Sequence, residues 1–542
     1  MAGLDRHAAV RVMRALTLAG LASLLTAQAR ADDLDSLVAK ANPSAPGCAV
    51  GVSRQGQPTQ FRARGLADLE HGVPITPETI FEAGSVSKQF TAAAVLTLVQ
   101  DGKIKLSDDI RKYLPEMPGY GAPITIDHLL SHTSGLRDWG EVAALAGWPR
   151  GSRVYTNDEA LWIASRQTAL NYPLGSAYSY TNTGYSLAAL IVARVSGQSF
   201  ADFTRDRLFK PLGMTHSQWR DDFTRIVPGR AQAYEPGPGG QQLDMPFEDG
   251  YGNGGLLTTV GDLLIWNDAL TKGALGAAVT ERMQQQAVLT GGRKIEYARG
   301  LFITAYHDVR EISHSGATGG YRAWLGRYPD QGLSIAVLCN AGDADAGRQA
   351  HEIANLYLPP APTAAPSAEP TSAGELAQRP GLYVQEGAVG LLRLAAEGDH
   401  LRQLGGPSLA PAGPGRYRAG AVLLVFRPNG DLERRSPDGS IGVFHREPPA
   451  HPTPAELGAI VGTYASEEAN ATIRIGLRAG KLVVIPADRP SAAALIEPLF
   501  KDGFSYPGGG VIRVTRGVAG QVEGFRYQGG RVWDFAFRRV GS

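Results

Sequence analysis

Between Pro359 and Gly374 the chain reads PPAPTAAPSAEPTSAG, rich in proline, alanine and small polar residues, with nothing large to bury. Such a stretch reads as a semi-extended linker, and it divides the 542 residues into parts that must each build a core of their own. Length alone suggests two to four units at roughly 150 residues per domain. On the N-terminal side, from Asp32 to Leu358, strand-like runs alternate with helical ones. AVGVSRQGQ, EISHSG, YRAWLGRY and LSIAVLCN read as strands, whereas KQFTAAAVLTLVQDG, TGYSLAALIVARVSG and GRQAHEIANLYL carry helical spacing. Strands at both ends with helices between them predict a sheet covered by helices.

Beyond the linker the texture changes to short alternating runs punctuated by glycine, such as AVLLVF, LVVI and VWDFAFRRV, which favours all-β structure. The region also repeats. ELAQRPGLY, ending at Tyr383, aligns with ELGAIVGTY, ending at Tyr464; at the same offset Leu391–Leu394 falls on Thr472–Ile475 and Leu401 on Leu482. A second proline-rich joint, EPPAHPTP, separates the copies, and two copies are too few for a solenoid. The expected domains are therefore 32–358, a linker at 359–374, and two small β modules at 375–448 and 449–542.

Charge and the N-terminus restrict function. With 53 basic and 52 acidic residues there is no global field that points to nucleic acid or a membrane surface. Arg6, Arg11 and Arg14 precede the apolar run ALTLAGLASLLTA and then Ala29–Ala31, a pattern that reads as a signal peptide over 1–31 and a secreted or periplasmic protein. No later run is long and apolar enough to span a bilayer. Only Cys48 and Cys339 are present, both in strand-like runs. They pair if those strands are neighbours in an oxidising compartment, but two separate buried thiols is the favoured reading.

Among the lysines only Lys88 has a serine three residues before it, in FEAGSVSKQFT. Positions i and i+3 share a helix face, and burial among QFTAAAVLTLV would favour the neutral, basic amine. A serine at a helix start also has backbone N–H groups to offer a developing oxyanion. An isolated pair of this kind is more often a helix cap with a snorkelling lysine. A serine with a lysine base needs a second proton carrier, and Tyr-Thr-Asn occurs twice. The copy at Tyr180–Asn182 follows a Pro173/Gly175 turn and precedes an apolar helix; the copy at Tyr155–Asn157 is assigned a capping role, with Asn157 or Asp158 as the cap. His314, Ser315 and Gly316 in EISHSGATGG end a strand-like run, where glycine permits close backbone approach and His314 offers a hydrogen bond or a charge. His128 and His132 stand at i and i+4, but without a His-Glu-x-x-His glutamate or a third ligand cluster they read as structural. There is no Gly-x-Ser-x-Gly elbow, no Gly-x-x-x-x-Gly-Lys loop and no Gly-x-Gly-x-x-Gly after a strand, which argues against an α/β-hydrolase and nucleotide or dinucleotide enzymes.

In chain order, SVSK at Ser85, YTN at Tyr180 and HSG at His314 resemble the three motifs of the serine β-lactamase and penicillin-binding protein superfamily, in its class C-like branch. HLLSHTSGL, LFKPLGM, GNGGLLTTVGDLLIW and LSIAVLCN share the likeness, which spans Asp32 to Leu358. It implies an α/β (α+β) domain with an antiparallel sheet flanked by helices. The two further all-β antiparallel barrel modules make the chain resemble the bacterial D-stereospecific aminopeptidases, in which a loop of the last barrel restricts the active-site entrance. ADRPSA (Ala487–Ala492) is the candidate for that loop, although the long linker leaves the docking of the barrels open.

The resemblance implies Ser85 as nucleophile, Lys88 and Tyr180 as proton carriers, Asn182 orienting Lys88 and the substrate amide, and His314 in the electrostatic place of the lysine of Lys-Thr-Gly enzymes. Ser315, Gly316 and Ala317 would hold the substrate, with the N–H groups of Ser85 and Ala317 as oxyanion hole; no metal or organic cofactor is required. The expected function is an exported hydrolase that forms an acyl-enzyme on small-molecule or short-peptide amides or esters, best a D-aminopeptidase or D-amino-acid amide hydrolase. A carboxylesterase or class C-type β-lactamase is the alternative, and a non-catalytic binding protein the third reading. A homodimer is left open.

Overall fold

A computed structural model describes residues 33–360, 372–385, 390–406, 408–420, 422–436 and 441–541. The expected signal peptide lies outside the described residues, as does most of the expected linker. The N-terminal half is built on six strands: β1 (Cys48–Arg54), β2 (Gln60–Arg64), β3 (Phe302–Tyr306), β4 (Val309–Thr318), β5 (Tyr321–Tyr328) and β6 (Leu333–Cys339). They pair in the order β3-β4-β5-β6-β1-β2, antiparallel throughout. The four strands read from sequence are thus neighbours, although nearly the whole N-terminal half separates β1 from β6.

Period-2 alternation assigns the faces. On β6, Leu333, Ile335, Val337 and Cys339 pack with Val50, Val52, Trp324 and the apolar side of a helix. Ala336 and Leu338 face the other way, into the main core. The helices that matter here are α1 (Lys88–Gln100), α2 (Trp139–Leu145), α3 (Asn157–Ser165), α4 (Asn182–Ser196), α5 (Val260–Lys272) and α6 (Ala346–Ala354). Helix α6 covers the first face through Ala350 and Ile353, and α5 the second through Leu263, Leu264 and Trp266. Every residue of α1 from Lys88 to Leu98 is buried, as an all-round apolar helix requires.

The two thiols are joined, against the favoured reading. Cys48 and Cys339 lie directly opposite in the β1–β6 ladder and form a disulfide. Their separation in sequence, 291 residues, hid a contact that only strand pairing creates.

The C-terminal part forms two antiparallel, barrel-like sheets of eight and nine strands. In each, the first strand pairs with the last, Gly381–Gln385 with Ile441–Glu447 and Gly462–Ser466 with Phe535–Gly541, and consecutive strands are neighbours except at one open seam, between His400–Gln403 and Ala410–Pro411 and between Ala494–Leu495 and Pro498–Phe500. The internal repeat is physical. Each copy opens with a short helix closed by a capping box, Ser372 with Glu375 and Thr453 with Glu456. The repeated tyrosine then donates back to the carbonyl four residues earlier, Tyr383 to Arg379 and Tyr464 to Ile460. Leu392 stands opposite Tyr383 as Ile473 stands opposite Tyr464.

The second barrel packs on the N-terminal half. Trp139, Val142, Leu145, Tyr155 and Ile163 share one apolar cluster with Ile473, Val484, Phe525 and Phe535. A buried ion pair crosses the same boundary, Arg137 Nη1 to Glu468 Oε1 at 2.7 Å. Among the described residues no helix is long and apolar enough to cross a membrane.

Candidate active site

The stretch FEAGSVSKQFT converts a strand into a helix. Phe81–Glu82 pairs with Leu256–Thr258, and a tight turn over Gly84–Ser87 leads into α1 at Lys88. Glu82 is clamped at 2.8 and 3.0 Å by Arg220, with both side chains buried. Gly84 has φ +50, and a Cβ there would lie 2.6 Å from the Ala317 nitrogen; a Cβ on Gly316 would lie 2.0 Å from the Ala83 carbonyl. Glycine at both places lets β4 run backbone to backbone against the turn, so Ala317 stands beside Ser85. Ser85 itself stays partly exposed on the wall of a cleft.

Lys88 is fully buried. Its Nζ donates to Ser85 Oγ at 3.1 Å, Asn182 Oδ1 at 3.0 Å and the Asn253 carbonyl at 2.6 Å. Burial holds its pKa well below the ordinary lysine range, with help from Arg531 and Arg150 and against the pull of Asp138. Burial thus disfavours the charged amine, and the contact with the serine hydroxyl places Lys88 to serve as its base.

The two Tyr-Thr-Asn copies share a local fold and differ in depth. In both, threonine is the N-cap and asparagine the first helical residue: Thr156 caps α3 and Thr181 caps α4. The cap of the first copy is thus Thr156, which accepts from Glu159 N, and not Asn157 or Asp158; Asn157 instead bridges Tyr251 through its N–H and its carbonyl. Tyr155 is spent internally, donating to the Trp148 carbonyl at 2.5 Å. Tyr180 lies with its ring 4.8 Å from Lys88 Nζ. Its hydroxyl is buried and makes no hydrogen bond within the described residues, yet Ser85 is near enough to oppose the upward push that burial gives its pKa. Asn182 is fixed from behind, its N–H donating to Asp138 Oδ2 at 2.7 Å.

His314 lies on β4 in the same cleft, and its Nδ1 is 2.6 Å from the Ser315 carbonyl. Burial first, and then nearby Lys88, lower its pKa to about 3. It is a neutral imidazole, which corrects the expectation of a charge in the place of a lysine. Tyr297, unread in the sequence, meets His314 Nε2 at 3.3 Å and Tyr185 at 3.5 Å. His132 is buried against Tyr178, Tyr180, Tyr185 and Tyr297, and His128 completes the capping box of Thr125.

The cleft, about 580 Å³, is lined by Ser85, Tyr180, Asn182, His314, Ser315, Gly316 and Ala317 together. A larger cavity, about 730 Å³ between β2 and α5, lies away from Ser85. Asn253, Arg150 and Arg531 are among the cleft residues that escaped the sequence reading. Asn253 stands in the quoted phrase GNGGLL, which carried the signal, but nothing local marked its carbonyl as the partner of Lys88. Arg531 belongs to the second barrel, whose turn at 529–534 reaches the cleft. ADRPSA does not: Arg489 donates to the Gly147 carbonyl and lies over Trp148 at the outer end of α2.

Serine, buried amine, tyrosine and glycine-lined strand form one constellation, and it has known counterparts. The pattern of the beta-lactamase family, described simply as Beta-lactamase, matches residues 32–358. The chain belongs to the beta-lactamase family. Its family likeness extends past the catalytic half: a D-aminopeptidase of Cereibacter sphaeroides is 29% identical over 452 residues, 80% of this chain and 82% of that one. Among solved structures, a D-amino acid amidase from Ochrobactrum anthropi SV3 complexed with L-phenylalanine amide is 25% identical with a TM-score of 0.52, covering 61% of this chain and 97% of the amidase. An octameric penicillin-binding protein homologue from Pyrococcus abyssi, 21% identical with a TM-score of 0.53, shares the fold over 85% of this chain and 99% of its own. Within the beta-lactamase family the protein is therefore a serine hydrolase, similar to D-aminopeptidases.

Proposed function

We propose that the protein is an exported acyl-transfer hydrolase that cleaves amides of D-amino acids or short peptides that begin with them. The observation that carries the chemistry is the buried Lys88 amine 3.1 Å from Ser85 Oγ, with Tyr180 against the same pair. Ser85 attacks the carbonyl while Lys88 takes its proton; Tyr180, hydroxyl buried and otherwise unpartnered, passes a proton to the leaving group. The N–H groups of Ser85 and Ala317 receive the oxyanion, each worth roughly 3 kcal/mol of barrier. Asn182 holds Lys88 from one side, and its oxygen is itself oriented by the Asp138 contact to its backbone. His314 contributes hydrogen bonds and no charge. Water then releases the acyl group.

The D-aminopeptidase and D-amino acid amidase relatives support the substrate class. The Cys48–Cys339 disulfide supports export, because such bonds persist in oxidising compartments. The test is acylation. Incubation with D-alanine p-nitroanilide should release nitroaniline, and mass spectrometry of a quenched reaction should find the acyl group on Ser85. Ser85→Ala should lose both while keeping its fold by circular dichroism. Adducts retained in that variant would refute the nucleophile, and turnover confined to a short-chain ester or a cephalosporin would move the substrate class to an esterase or β-lactamase.

A further inference from the structure

The cavity of about 730 Å³ between β2 and α5 shares no lining residue with the catalytic cleft and has a chemistry of its own. Arg327 lines it from β5. By the period-2 alternation of that strand, Arg327 stands on the same face as Ala323 and Leu325, which pack in the main core. It is only 2% exposed, and both its Nη atoms are buried without a hydrogen-bond partner among the described residues. Burial first, and then the like charge of Arg310, lower its pKa to about 10, so the guanidinium is still charged at neutral pH. A charge taken out of water with no countercharge is destabilising.

The groups nearby do not supply one. Asp262 accepts from His216 N at 2.9 Å and Ser217 Oγ at 2.8 Å, and Asp268 pairs with Lys272 at 2.6 Å. Glu78 lies exposed on the cavity wall. The neighbouring Gly326 carbonyl is taken by Asn267 Nδ2 at 3.0 Å. The rest of the lining is largely apolar: Leu264 and Leu333 are buried in it, whereas Phe61 and Ile265 are large apolar side chains left open to solvent. A buried cation with apolar side chains between it and solvent suits an anion that carries an apolar body.

We propose that this cavity is a second binding site, in which Arg327 receives the carboxylate of a small organic acid whose aliphatic chain lies along Phe61, Leu264 and Ile265. The two free Nη atoms present the parallel N–H bonds that a carboxylate accepts. One buried cation balances one negative charge; a phosphate dianion would leave a surplus in a cavity that already holds Glu78, Asp262 and Asp268. The volume lies within the roughly 300–1,000 Å³ of small-molecule sites. The site asks nothing of Ser85, so it stands whether or not the acyl-transfer reading does.

The test is calorimetric titration of the full chain with sodium octanoate. Octanoate should bind and raise Tm, because it binds the folded state alone. Octanamide, which has the same chain and no charge, and inorganic phosphate should each bind about tenfold more weakly or worse. Arg327→Met should weaken octanoate at least about tenfold, and Arg327→Lys should keep part of the affinity. Without ligand, Arg327→Met should melt no lower than the wild type, since it removes a buried unpaired charge, whereas an arginine with a purely structural role would make it melt lower. Phe61→Glu, at an open position of the wall, should also weaken octanoate about tenfold and leave hydrolysis unchanged, and it decides the matter if Arg327→Met does not fold. Ser85→Ala should bind octanoate as the wild type does. No binding of octanoate, equal binding of octanamide or phosphate, or octanoate affinity that survives in Arg327→Met or Phe61→Glu would overturn the proposal.

Discussion

Replacing Glu468 by alanine should loosen the second barrel from the catalytic half by about 3 kcal/mol. Arg137 is only 3% exposed and Glu468 14%, so the substitution strands a buried guanidinium. The same carboxylate oxygen also accepts the Thr168 amide and hydroxyl, which lose their partner too. Breaking such a pair costs roughly 3–5 kcal/mol, and the lower end applies because Glu468 keeps some contact with water that can enter after truncation. At 1.4 kcal/mol per factor of ten, the docked state should lose about two powers of ten against the undocked one. Global unfolding is a poor readout in a chain of several domains. Amide hydrogen exchange is a direct one, since the Asp138 N–H bonds the Arg531 carbonyl and the Arg531 N–H bonds Glu141 across the boundary. Protection at these two amides should fall about a hundredfold while that of α1 is unchanged. Glu468→Gln should cost less, because it keeps an acceptor, and Arg137→Met with Glu468→Leu should restore much of the loss. Protection that falls less than threefold in Glu468→Ala would refute the claim that this pair holds the barrel in place.

Two further outcomes concern the cleft. With Lys88 as the base, kcat/KM should fall on the acid side with a single proton, and the limb should persist in His314→Asn, because His314 with a pKa of about 3 does not titrate near neutrality. The sign for stability follows from the same burial: a depressed folded pKa means the unfolded chain binds more protons between that value and the ordinary lysine range, so stability from Lys88 rises with pH across that window and is lost as pH falls through the folded pKa; urea midpoints of wild type and Lys88→Met against pH would check it. Tyr180→Phe should cripple turnover with little change in stability, whereas Tyr155→Phe should keep turnover and lose about 1 kcal/mol with its bond to the Trp148 carbonyl; the reverse pattern in paired rate and denaturation measurements would exchange their roles.

Much of this was legible in the sequence because it is local. Period-2 runs named β1, β4, β5 and β6, the all-round apolar run named α1, and the aligned ELAQRPGLY and ELGAIVGTY segments foretold two modules with matching first strands. Ser85 and Lys88 share one turn of chain, so their contact follows from helix geometry. The N-cap of the first Tyr-Thr-Asn copy is equally local, yet the sequence reading puts it at Asn157 or Asp158 where Thr156 holds it.

What tertiary structure alone decided depends on which groups meet across long separations. The two Tyr-Thr-Asn copies are locally alike, and only packing carries one tyrosine to Lys88 and the other to Trp148. A histidine carries charge or not according to desolvation, which no tripeptide encodes, and His314 is neutral because the finished cleft buries it beside Lys88. The disulfide required β1 and β6 to become neighbours across 291 residues. Arg531, nearly 450 positions from Ser85, enters the cleft because Glu141, Asn171 and Asp138 hold its backbone there. Local pattern sets which elements form; the burial and charge that make a site are set by the assembly of all of them.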